Sequence, residues 1–113
     1  ERQGLSARFA WMAVAERETG NDPLQAIQKL DLDSGTTHTW SAAPRGFVSE
    51  PLMVRRPGAE AEDDGWVLDL VWNGARAASD LVILNARDLS EVAVLELPLA
   101  VPHGLHGSWA PQR

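Results

Sequence analysis

Four short runs in the second half of the chain limit its fold more than any other feature. Ser49 to Arg55, Gly65 to Trp72, Asp80 to Asn85 and Glu91 to Leu97 follow one another with hairpin-sized loops and no convincing helix between them. In the second run Trp66, Leu68, Leu70 and Trp72 fall on one side and Val67, Asp69 and Val71 on the other, the two-residue alternation of a strand. Asn73-Gly74 ends that run, and Pro98 closes the fourth. The series predicts a four-stranded antiparallel meander. Apolar side chains occupy both of its faces, so both must be covered, and sheets stacked around an axis achieve this. The expectation is an all-β chain made of β-propeller blades, with a sandwich of the same strands as the competing architecture.

A blade takes ~40–45 residues, so 113 residues hold two to three of them and cannot close a ring. Residues 5–41 are expected to be most of one blade, 47–98 a complete one and 103–110 the first strand of the next. In the first of these, Leu5 to Glu18 has enough alanine for a helix. The alternation of Phe9, Trp11 and Ala13 with Ala10, Met12 and Val14 reads instead as a strand covered on both faces. Gly20-Asn21-Asp22-Pro23 is a loop. Ala26 to Leu32 then turns at Asp33-Ser34-Gly35 into Thr36 to Trp40, a hairpin.

Composition excludes several functions. The net charge of -6 argues against a nucleic-acid partner, and Lys29 is the only lysine among ten basic residues, with no basic run. There is no cysteine, which removes disulfides, thiolate metal sites and a cysteine nucleophile, and agrees with a reducing cytoplasm. No apolar run approaches the ~20 residues of a membrane helix. Glu1-Arg2-Gln3 does not open a signal peptide, and the lack of an initiating methionine reads as a piece cut from a longer protein, although processing would give the same start.

Two motifs carry the candidate chemistry. Pro102-His103-Gly104-Leu105-His106-Gly107-Ser108-Trp109 holds two of the three histidines among glycines that allow a tight turn and close approach. Upstream, Ser49-Glu50-Pro51-Leu52-Met53-Val54 is followed by Pro57-Gly58 and the acidic loop Ala61-Glu62-Asp63-Asp64-Gly65-Trp66. Glu50 and His106 lie 106 − 50 = 56 residues apart, about one blade plus the long loop 56–64. On innermost strands of adjoining blades they would stand side by side near the axis. A metal-bound histidine needs an acceptor on its second ring nitrogen, and a carboxylate serves that role best. Val48 and Leu52 to Val54 imply that Glu50 is buried, where an ionised carboxylate must be paired.

The alternatives to these roles are plain. His106 alone would be a loop histidine at a strand start; His103, three residues away, points to the opposite face of a strand, so only one of the two should face a metal. His38 is expected at the surface. Glu60, Glu62, Asp63 and Asp64 lack the periodicity of a calcium loop and read as a solvated turn. Asp69 has no account from sequence. The tryptophans are expected mainly to pack.

Those motifs in that order resemble the C-terminal end of the carotenoid cleavage oxygenase family, which includes the retinal pigment epithelial membrane protein and the lignostilbene dioxygenases. The similarity runs from about Phe47 to Trp109; before that, Leu30-Asp31-Leu32-Asp33-Ser34-Gly35 and Trp40 still look like the family's preceding blade. The resemblance implies a seven-bladed β-propeller carrying Fe(2+) on its axis, four histidine ligands, and oxidative cleavage of a conjugated double bond in a carotenoid, apocarotenoid or stilbene, with dioxygen as co-substrate. His106 would be the last iron ligand, Glu50 the glutamate that orients an iron-binding histidine, and Phe47, Leu105 and Trp109 candidate pocket residues. His103 stands where relatives usually carry an aromatic or aliphatic residue, which leaves its contribution open. The other ligands would lie outside this chain, so the isolated 113 residues are expected neither to hold iron tightly nor to turn over. Membrane contact by a parent protein collecting a greasy substrate stays open, with no amphipathic anchor in view. A non-catalytic propeller module that binds a protein or glycan is the alternative function. A calcium-dependent propeller hydrolase would need inward Asp and Asn residues at blade starts, which are not evident.

Overall fold

The computed structural model describes residues 8–15, 24–43 and 46–101, and every regular element in them is a β-strand. Strands β1 (Phe9–Val14), β2 (Ala26–Asp31) and β3 (Thr37–Ser41) form one antiparallel sheet in the order β1-β2-β3. The second sheet contains β4 (Gly46–Val48), β5 (Leu52–Arg55), β6 (Gly65–Asn73), β7 (Ala78–Asn85) and β8 (Glu91–Glu96). Its order is β4-β6-β7-β8, and β5 also pairs with β6. The ambiguous first segment is a strand, half-buried throughout, as its two alternating apolar sets require.

Local chemistry shapes the turns. Between β2 and β3 the Asp31 side chain accepts the N–H of Asp33 at 2.9 Å, and Gly35 adopts φ +75°, a value that costs glycine little. Between β6 and β7 the Asn73 side chain accepts the Ala75 N–H at 3.0 Å. Asn85 does the same for Arg87 at 2.9 Å between β7 and β8.

The first sheet lies over one face of the second. Ile27 packs in one cluster with Val48, Val67, Val71, Val82 and Leu84, joined by Trp11, Trp40 and Met53. Each fully buried aliphatic side chain contributes about 1.5–3 kcal/mol. On the opposite face Trp66, Leu68, Leu70, Trp72, Leu81 and Ile83 are only half-buried. The second sheet is thus covered on one side and half-open on the other, and β8 is mostly exposed.

One strand expectation is corrected. The run from Ser49 to Arg55 is not a single strand: β4 ends at Val48 and β5 begins at Leu52. Val48 pairs with Val71 and Leu52 with Leu68, so three residues (49–51) oppose two (69–70). This is a β-bulge. Pro51 sits in it, where its missing N–H breaks no ladder bond. The loop 20–23 and the strand expected over 103–110 lie outside the described residues.

Candidate functional site

The bulge carries Glu50. A regular strand would hold its side chain in the alternation of the sheet; the extra residue takes it out of that register and re-aims it. Val48 and Val54 stay buried at 4% and 8% exposure, whereas Glu50 is exposed. Burial of Glu50, inferred from those flanks, is therefore corrected: the flanks remain in the ladder and the bulge does not.

Opposite the bulge, on β6, stands Asp69, 2% exposed. Its Oδ1 accepts from the Ser49 N–H at 3.0 Å and lies 3.1 Å from the Ser49 hydroxyl. The Ser49 hydroxyl and N–H also reach the Leu70 carbonyl, at 3.0 and 3.2 Å. Asp69 Oδ2 is buried without a hydrogen-bond partner among the described residues. Burial pushes the Asp69 carboxyl up to about 7, against the lowering effect of the hydrogen bonds from Ser49.

The two sheets are tied where the acidic loop meets them. Lys29, 5% exposed on β2, donates to Asp63 Oδ2 at 2.8 Å and to the Arg87 carbonyl at 2.7 Å. Its ammonium lies 4.1 Å from the Phe9 ring centroid. Glu62 accepts the backbone N–H groups of Arg8 and Phe9 at 3.1 and 3.0 Å. The Trp11 indole donates to the Ala86 carbonyl at 3.1 Å, and the Trp40 indole to Glu91 at 3.0 Å. The solvated-turn reading of this loop is therefore corrected for Glu62 and Asp63, which fix one sheet to the other. The available signal was a lone lysine on the same strand face as Ile27, since such a residue needs a partner when buried.

His38 is exposed on β3, as expected, and Phe47 is half-buried on β4 opposite Trp72. His103, Leu105, His106 and Trp109 lie outside the described residues. No group of three or more His, Cys, Asp or Glu side chains able to hold a metal comes together among the described residues. Nor is any helix there long and apolar enough to cross a membrane. Glu50 alone, a single exposed carboxylate on the bulge, is not a coordination sphere. A separate cleft of about 320 Å³, lined by Trp40, Ala42, Gly46, Val71, Val82 and Val94 among others, opens between the sheets without Glu50 or Phe47 in its wall.

Stacked antiparallel meanders, with a bulge at the edge of the second sheet, are the repeating units of a β-propeller. The chain belongs to the retinal pigment epithelial membrane protein family, the carotenoid cleavage oxygenases, whose model matches residues 1–111. It is 48% identical over 112 residues to the apocarotenoid-15,15'-oxygenase of Synechocystis sp., covering 97% of this chain and 23% of that protein. It is 38% identical over 96 residues to resveratrol cleavage oxygenase 1 of Aspergillus fumigatus, covering 83% of this chain and 19% of that protein. A cobalt-substituted crystal structure of the Synechocystis oxygenase superposes with a TM-score of 0.93 at 48% identity, over 98% of this chain and 24% of that one. The fold is accordingly that of the family's seven-bladed β-propeller, of which this chain spans about a quarter, and the family is one of metalloenzymes.

Proposed function

We propose that this chain is the C-terminal part of a non-haem Fe(II) dioxygenase that cuts one conjugated carbon–carbon double bond of an apocarotenoid, carotenoid or stilbene-type molecule. One observation carries the reading: relatives named for apocarotenoid, torulene and resveratrol oxidation align with most of this chain. In this reading residues 5–41 supply most of one blade, 47–98 a complete one and 103–110 the innermost strand of the next. His106 is an iron ligand, and Glu50 accepts the hydrogen on its second ring nitrogen, fixing the tautomer and the ring plane. Phe47, Leu105 and Trp109 help to wall a dry, apolar pocket. Iron held by neutral imidazoles supplies open coordination positions for dioxygen. Each carbon of the broken double bond takes one oxygen atom, giving two carbonyl products.

The test uses the intact protein with an apocarotenoid, a full-length carotenoid and a hydroxylated stilbene in turn, under isotopically labelled dioxygen. The expected result is a pair of labelled carbonyl products from one of the three. Cleavage of none of them by iron-loaded protein overturns the reading. His106→Ala should abolish iron binding and His103→Ala should spare it; unchanged iron in the first variant ends the ligand assignment.

A further inference from the structure

The bulge that carries Glu50 is held from behind by one side chain. Asp69 meets both hydrogen-bonding groups of Ser49, the residue immediately before Glu50, and no other described side chain bonds Ser49. We propose that Asp69 is a positioning residue for Glu50, clamping Ser49 against the Leu70 carbonyl and so fixing the direction in which the bulge presents the glutamate. This rests on the role proposed for Glu50 above.

Counting hydrogens sets the state in which the clamp works. Four contacts join Ser49 to Asp69 Oδ1 and to the Leu70 carbonyl, at 3.0, 3.1, 3.0 and 3.2 Å. Ser49 brings only two hydrogens to them, one on nitrogen and one on oxygen. With an ionised Asp69, its hydroxyl faces two acceptors and satisfies one. A proton on Asp69 resolves this: Asp69 O–H donates to the Ser49 hydroxyl, the hydroxyl donates to the Leu70 carbonyl, and the Ser49 N–H is shared between that carbonyl and the carboxyl. The buried, unpartnered Oδ2 points the same way, because an orphaned oxygen costs less on a neutral acid than on a carboxylate. The raised Asp69 value agrees.

Among the described residues no ionised group offsets this. Across β7, Asp69 pairs in register with Val82; the bulge faces it with Ser49; Val67 and Val71 flank it on its own face of β6. Glu50 is the nearest titratable residue along the bulge, and no charge contributes to the Asp69 shift. Asp69 therefore titrates near neutrality, and raising the pH through about 7 draws the single Ser49 hydroxyl hydrogen to the carboxylate and frees that hydroxyl from the Leu70 carbonyl, which loosens the clamp.

The test titrates cobalt(II) into the metal-free intact protein as wild type, Glu50→Gln, Asp69→Val, Asp69→Asn and the double variant Asp69→Val/Glu50→Gln. Asp69→Val should weaken cobalt binding by about 10-fold. Asp69→Asn, neutral and of the same shape, should keep it at neutral pH, and the double variant should bind no more weakly than Glu50→Gln alone. Additive losses overturn the inference, as does unchanged cobalt affinity in a folded Asp69→Val protein whose unfolding alone is altered. Should Asp69→Val fail to fold, the pH profile decides: wild-type affinity must fall relative to Asp69→Asn as pH rises through about 7, and parallel profiles refute the clamp. The infrared band of a protonated carboxyl should be present in the wild type at slightly acid pH and missing from Asp69→Asn; its absence from the wild type refutes the neutral-acid clamp. If Glu50→Gln itself leaves cobalt affinity unchanged, the assignment of Glu50 fails and the inference falls with it. An effect of Glu50→Gln without one of Asp69→Val sinks the inference alone.

Discussion

Removing the Asp63 carboxylate should damage the protein far more than removing the lysine it holds. Lys29 is 5% exposed, with its ammonium 2.8 Å from Asp63 and 2.7 Å from the Arg87 carbonyl. Asp63→Asn leaves that cation buried with only neutral acceptors, the Arg87 carbonyl and the asparagine amide oxygen, and the face of Phe9, which should cost about 3–5 kcal/mol. Lys29→Met keeps the length and apolar body of the side chain and removes the charge. The Asp63 side chain left behind is 13% exposed and 3.9 Å from the Arg87 guanidinium, so this variant should cost only about 0–2 kcal/mol. The double variant Lys29→Met/Asp63→Asn should then lie within about 1 kcal/mol of Lys29→Met alone, a strongly non-additive cycle. Urea unfolding of the intact protein gives the energies, and amide hydrogen exchange across residues 9–14 localises the loss to the junction of the sheets. Equal costs for the two single variants, or a cost below about 1 kcal/mol for Asp63→Asn, would refute the claim that this buried pair ties the sheets together.

Other outcomes follow from the same geometry. Asp69 has its folded value raised to about 7 from the ordinary 3.8, so the folded state binds the proton more tightly; its contribution to stability is complete below pH ~4 and is lost as pH rises through about 7. At about 1.4 kcal/mol per pH unit that is roughly 4 kcal/mol, and the difference between wild type and Asp69→Asn in unfolding measured from acid to alkaline pH should show it as a slope that the variant lacks. Leu84→Ala, at a side chain with no exposure, should cost about 2–5 kcal/mol by denaturant unfolding. Gly65→Ala should cost about 1–3 kcal/mol, because the added Cβ meets the Val54 carbonyl and comes within 2.8 Å of Arg55 Cα, both backbone. The isolated 113 residues should retain no stoichiometric iron by elemental analysis after dialysis.

The strands, their antiparallel succession and the hairpin turns are legible in the order of the amino acids. Alternation along Gly65 to Trp72 and turn residues such as Asp33-Ser34-Gly35 act over a few neighbouring positions, so their consequences are written locally. That order also carries the family motif around Glu50. Other features emerge only on folding, because they depend on register between distant segments. The bulge at residues 49–51 exists because Val48 and Leu52 pair with Val71 and Leu68 across β6, and no local pattern counts three residues against two. The partner of Lys29 is 34 residues away, and Asp69 meets Ser49 across 20. A carboxylate's surroundings, and so whether it is a solvated charge, a buried tie or a neutral acid, are set by which strands are brought against it, because desolvation acts through space rather than along the chain.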